Sequence, residues 1–141
     1  MESIETMLRK AGVMPTRQRL EIARVLFSGP GHFSADRVLA SVNRARPATS
    51  KATVYNTLKL FVARGLIRAV IADPNKVFYD SNTAVHYHFY DAQSGELTDI
   101  NADGVEVLGL PPLPLGSVTE GLDIVVRIRA DERAEPDGSQ V

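Results

Sequence analysis

The stretch from Ser50 to Tyr79 restricts this chain more than any other. Val54, Leu58, Phe61 and Val62 fall at i, i+4, i+7 and i+8, one apolar stripe on a helix running from Lys51 to about Arg64. Ser50 is a capping residue before it, and Gly65 stands where a helix end favours a left-handed residue. Two apolar, β-prone runs follow, Leu66–Ile71 and Lys76–Tyr79. The Asp73-Pro74-Asn75 between them is turn chemistry, so the pair reads as a hairpin. Tyr55, Asn56 and Lys59 fall away from the buried stripe. A helix with such an edge, followed by a hairpin, describes a winged helix-turn-helix: the helix enters the major groove and the hairpin is the wing. A generic helical domain whose polar face merely meets water has the same periodicity.

The residues upstream supply the remaining helices. Glu2–Ala11 is a short helix ending at Gly12, and Pro15 breaks the chain after it. Thr16 caps a second helix with Leu20, Ala23, Leu26 and Phe27 at helical spacing, stopped by Ser28-Gly29-Pro30-Gly31. Ser34 caps a third, with Val38, Leu39 and Val42 on one face, ending before Pro47. Charge separates this half from the rest. Residues 1–71 carry 12 Lys+Arg against 4 Asp+Glu, whereas residues 72–141 carry 4 against 13, so a net −1 conceals +8 beside −9. A basic module attracts phosphate, and an acidic one is repelled by the same polyanion. This favours double-stranded DNA as the partner of the first half.

The second half is β-rich. His86–Tyr90 and Glu96–Ile100 read as strands around a Gln93-Ser94-Gly95 turn. Pro111–Gly116 is a proline-rich connector, and Leu122–Ile128 is the strongest strand signal. Three short strands bury too little alone, so a second copy is expected and the protein reads as a homodimer. The expected organisation is residues 1–82 for DNA binding, 83–130 for dimerisation and metal sensing, and 131–141 as a disordered acidic tail. There is no cysteine, which excludes disulfides, thiol chemistry and a structural Cys-zinc site. No apolar run approaches the ~18 residues of a membrane span, so no membrane partner is expected and the cytoplasm is the default location.

His86 and His88 form a His-x-His pair on a strand, where i and i+2 share a face. Asp80 lies upstream, Asp99 downstream, and His32 is the one remaining histidine. Paired imidazoles with carboxylates are donors suited to a divalent metal. Either histidine alone would read better as a strand residue satisfied by hydrogen bonds, whereas all three histidines with both acids read as a site.

These residues resemble the ferric uptake regulator family. Ser50-Lys51-Ala52-Thr53-Val54-Tyr55-Asn56-Thr57-Leu58, closing with Gly65-Leu66-Ile67, is similar to its recognition helix. Pro15-Thr16-Arg17-Gln18-Arg19, His32-Phe33-Ser34-Ala35-Asp36 and Val85-His86-Tyr87-His88-Phe89 follow in the family's order and spacing. Leu110-Pro111-Pro112-Leu113-Pro114, the run Leu122–Arg129 and the phrase Phe78–Thr83 resemble the iron response regulator branch, Irr, which also lacks Cys-x-x-Cys zinc sites.

The resemblance implies an α+β architecture: an N-terminal winged helix-turn-helix domain plus a small C-terminal α/β dimerisation domain with a short antiparallel sheet. It implies a metal-dependent transcriptional regulator of iron-responsive genes, with the regulatory metal between the domains and His32, Asp80, His86, His88 and Asp99 as ligands. Such an N/O set suits Fe(II) or Mn(II) and can hold Zn(II). The Irr branch commonly has three consecutive histidines linked to haem sensing. Here Tyr87 takes the middle place, and His86, Tyr87 and His88 are the candidate haem ligands. The DNA-facing set is Arg17, Arg19, Lys51, Thr53, Tyr55, Asn56 and Lys59. Tyr55 would pack on thymine methyls, Asn56 would reach an adenine edge, a phosphate or a hydrogen-bond partner on its own helix, and the basic residues would hold phosphates. No catalytic residue is expected. The same five ligands also resemble the regulatory site of a peroxide-sensing repressor. A non-haem metalloenzyme built on a two-histidine, one-carboxylate triad is the reading from another class, but it would leave the basic half without a purpose.

Overall fold

Each helix of the first half begins at a hydroxyl side chain that accepts a hydrogen bond from the backbone N–H three residues on. In this computed structural model, which describes residues 2–29, 31–44 and 48–133, Ser3 precedes α1 (Ile4–Lys10), Thr16 precedes α2 (Arg17–Leu26), Ser34 precedes α3 (Ala35–Val42) and Ser50 precedes α4 (Lys51–Ala63). The acceptor distances are 3.1, 3.3, 3.3 and 3.1 Å in that order. Each bond satisfies a donor that a helix start would otherwise leave open. At the far end of α4, Gly65 takes φ 73°, the left-handed conformation that lets the chain leave the helix. Ser50→Ala should lower stability by about 1 kcal/mol, read as a shift of the urea midpoint. An unmoved midpoint would show that the cap contributes nothing.

The chain divides into two compact units, Met1–Ala84 and Val85–Val141. In the first, the apolar stripes meet in one core. Leu8, Ile22, Leu26, Val38, Val54, Leu58 and Phe61 are completely buried. Asn43, the cap residue after α3, clamps the approach to α4: its amide donates to Thr49 O at 2.8 Å, and its Oδ1 accepts from Thr49 N at 3.0 Å. The hairpin forms as β2 (Arg68–Asp73) and β3 (Lys76–Asp80). Asp73 Oδ1 accepts from Asn75 N at 2.8 Å and holds the turn. The periodicity did not reveal β1 (His32–Phe33), a two-residue strand on the other edge of β3, so the sheet order is β1-β3-β2.

In the second unit the sheet order is β5-β4-β6, with β4 His86–Asp91, β5 Glu96–Asn101 and β6 Val125–Ile128. The expected antiparallel sheet is antiparallel only between β4 and β5. β6 runs parallel to β4, because the chain leaves β5 at Asn101, beside His86, and re-enters the sheet at Val125, beside His88, at the same end of β4. Among the described residues of this unit there is no helix. Along the connector, Leu108, Leu110, Leu113, Leu115 and Val118 are exposed. Of the expected acidic tail, residues 132–133 lie in a turn and 134–141 lie outside the described residues, as do Pro30 and Pro47 at the expected helix stops. No helix among the described residues is long and apolar enough to cross a membrane.

Candidate metal centre and nucleic-acid face

Strand register assembles two donor groups, one in each unit. In the first unit β1 pairs with β3 so that His32 stands opposite Asp80. The His32 Nε2 atom lies 3.2 Å from Asp80 Oδ2. Asp80 is 2% exposed, and its other oxygen accepts from Asn82 N at 2.9 Å. That backbone bond orients the carboxylate and leaves Oδ2 facing the imidazole, the kind of outer contact that presets a ligand.

In the second unit β4 and β5 place His88 opposite Asp99 and His86 opposite Asn101. Strand alternation puts His86, His88 and Asp99 on one face. The Nε2 atoms of His86 and His88 lie 3.6 and 3.4 Å from the same Asp99 oxygen. Their rings meet edge to face, with centroids 4.5 Å apart. His88 is 1% exposed, while the Asp99 side chain is 55% exposed. Two imidazole nitrogens within 3.6 Å of one carboxylate oxygen suit Mn(II), Fe(II) or Zn(II) by donor type. The donor chemistry therefore fits the metal the resemblance implies.

The same alternation separates the candidate haem ligands. Tyr87 stands opposite Ile100 and belongs to the other face of β4 from His86 and His88. Consecutive strand residues point to opposite sides, so His86, Tyr87 and His88 do not form one ligand set.

The nucleic-acid candidates all belong to the first unit. Lys51, Tyr55, Asn56 and Lys59 sit on the solvent side of α4, opposite its buried Val54, Leu58 and Phe61. Tyr55 is 39% exposed. The Lys51 ammonium lies 5.6 Å from the centre of the Tyr55 ring and 3.8 Å from Asp36 Oδ1. Thr53 is occupied in the helix cap: its N–H donates to Ser50 Oγ, and its hydroxyl accepts from the same serine at 2.9 Å. Arg17 pairs with Glu21 at 3.1 Å, and Arg19 donates to Met14 O at 3.1 Å. Sequence reasoning passed over Asp36 and Tyr79. Alternation along β3 puts Tyr79 on the opposite side from Asp80, but nothing local shows that it meets α4. Burial pushes the Tyr79 phenol up, and neighbouring Tyr55 adds to that, so it stays protonated at neutral pH.

Comparison with known proteins places this arrangement. The profile of the ferric uptake regulator family matches residues 10–109. The chain belongs to the ferric uptake regulator family. It is 36% identical over 100 residues to the peroxide-responsive repressor PerR of Staphylococcus epidermidis, a match covering 71% of this chain and 66% of that protein. It is 37% identical over 98 residues to PerR of Staphylococcus aureus, covering 70% of this chain and 66% of the relative. The matched region thus spans just under two thirds of these relatives. Solved structures share the fold. The Vibrio cholerae ferric uptake regulator has a TM-score of 0.71 at 18% identity, covering 91% of this chain and 100% of that one. The Pseudomonas aeruginosa regulator, solved with manganese, has a TM-score of 0.68 at 24% identity over 92% of this chain and 100% of its own. The Campylobacter jejuni peroxide stress regulator has a TM-score of 0.58 at 19% identity, covering 95% and 100%.

Proposed function

We propose that this ferric uptake regulator family member is a metal-dependent, DNA-binding transcriptional regulator of iron-responsive genes, working as a homodimer on a double-stranded operator. The observation that carries the reading is the convergence of His86, His88 and Asp99 on one face of β4 and β5, with no thiol anywhere in the chain. Three donors in one unit and two in the other are each too few for a closed site. The proposal is that one Fe(II) or Mn(II) takes His32 and Asp80 together with His86, His88 and Asp99. Holding ligands from both units selects one arrangement of the DNA-binding units over others, and differential affinity for that arrangement is what shifts the population. The exposed leucines of the proline-rich connector support a second copy as partner, because an apolar run of that kind is seldom left in water.

The chain's own residues divide the remaining work. Lys51, Lys59, Arg17 and Arg19 would neutralise phosphates and set register, while Tyr55 would read. Fluorescence anisotropy on the DNA upstream of its own gene, with Mn(II), Fe(II), haem and chelator in separate samples, tests the reading. Metal-dependent binding supports it, and indifference to every metal overturns it. Tyr55→Ala should weaken binding to the specific site about tenfold and to random DNA by less than about twofold, since phosphate contacts remain. Equal losses would remove Tyr55 from the reading role.

A second reading is favoured by the PerR relatives: a peroxide-sensing repressor that uses Fe(II) or Mn(II) at the same donors. Mass spectrometry of Fe(II)-loaded protein after peroxide separates the two. One added oxygen on a peptide holding His32, His86 or His88 supports the sensor, and unmodified histidines support the metal regulator alone.

A further inference from the structure

Inside the first unit, the chain on either side of the His32–Asp80 pair builds one wall of a cleft, and Tyr55 builds the other. The cleft, of about 180 Å³, is lined by Ser34, Asp36, Lys76, Tyr79 and Tyr55 among others. β1 has two rungs with β3: His32 opposite Asp80, and Phe33 opposite Tyr79. Among the described residues β1 pairs with β3 at these two rungs alone, so what holds the first rung helps to hold the second. From Phe33 the chain passes directly into Ser34, the cap of α3. Tyr79 and Phe33 both pack on the core under the cleft. A parallel route runs from Asp36 through Lys51 to the Tyr55 ring. An exposed ion pair contributes little, which leaves Tyr79 as the stronger link.

We propose that Tyr79 is a positioning residue that transmits occupancy of the His32–Asp80 pair to Tyr55 within the DNA-binding unit itself. This rests on the metal-regulator reading above and adds a route that requires no movement of the second unit. With both side chains held as ligands, the first rung of β1 is fixed. Phe33 and Tyr79 are then held in register, and Tyr55 faces a fixed wall rather than a shifting one. Without a ligated pair, a strand of two residues opens readily, and the wall loosens with it.

The test uses full-length protein labelled with fluorotyrosine, titrated with Zn(II) in the absence of DNA and followed by fluorine NMR. Tyr55→Phe assigns the Tyr55 resonance. Zn(II) should move that resonance in the otherwise unaltered protein. Tyr79→Leu, which keeps apolar bulk against the core, should abolish the movement while Zn(II) affinity changes by less than about twofold. Tyr79→Phe, which keeps the ring, should retain it. Asp80→Asn removes the input without touching the cleft: Zn(II) still binds at His86, His88 and Asp99, and Tyr55 no longer responds. A Tyr55 resonance that ignores Zn(II), or that still moves in Tyr79→Leu or Asp80→Asn, overturns the proposal. So does loss of the movement in Tyr79→Phe. On a duplex selected from a random pool by the Mn(II)-loaded protein, Tyr79→Leu should reduce the enhancement of binding by Mn(II) about tenfold. Selecting no duplex at all would overturn the regulator reading, whereas the fluorine measurement passes or fails independently of it.

Discussion

His88→Ala should weaken Mn(II) binding by about 100-fold or more, because even an outer-sphere partner of a metal ligand commonly accounts for 10- to 100-fold. His88 is the most enclosed of the three histidines, and its Nε2 lies 3.4 Å from Asp99 Oδ1. Without it the described residues of that face keep His86 and Asp99, 3.6 Å apart, as donors. The loss is read by competition with a chromophoric chelator. It should also appear in thermal unfolding. At about 100 times its Kd, a ligand that binds only the folded state stabilises by roughly 2.7 kcal/mol, and the variant should lose most of that increment. The metal-free melting temperature guards against a trivial explanation, since truncating a buried ring also leaves a cavity. A variant that binds Mn(II) as tightly as the parent would remove His88 from the ligand set.

Phe61→Ala should destabilise the first unit by about 3–5 kcal/mol. Phe61 is the largest completely buried side chain, and it packs from α4 into the cluster that includes Leu8, Ile22, Leu26 and Val38. Its removal takes apolar volume out of a cluster to which the first three helices all contribute, and helix backbones cannot close the gap without losing their own packing. Domains of this size have about 5–15 kcal/mol in total, so the variant should unfold at much lower denaturant with an unchanged m-value. Because Tyr55 is carried on the same helix, DNA binding should fall at temperatures where the unit is partly unfolded. A shift below about 1 kcal/mol would show that the stripe of α4 does not organise the core.

The local chemistry of the first unit was legible from spacing. Thr16, Ser34 and Ser50 cap the helices that follow them, and Gly65 takes its left-handed turn, because a cap or a helix end depends on residues within one turn of chain. His86 and His88 share a face for the same reason: the strand repeat is two residues. The same repeat places Tyr87, opposite Ile100, on the other face of β4.

Other features had no local signal. His32–Phe33 is too short to show any periodicity, yet as β1 it determines which carboxylate His32 meets. Sequence spacing marked Leu122–Ile128 as a strand but said nothing of its direction. The parallel pairing of β6 with β4 follows from the path of the connector. Tyr79 looked like an ordinary hairpin residue until the fold set it in a cleft with Tyr55.

The amino-acid order alone therefore determined the helices, the hairpin, the donor types and the basic face, since each is set by neighbours a few residues away. Tertiary structure alone decided that His32 stands across from Asp80, that Asp99 stands across from His88, and that Tyr79 shares a cleft with Tyr55. Register between strands distant in sequence is chosen by packing and loop closure over the whole unit, and no local pattern records that choice.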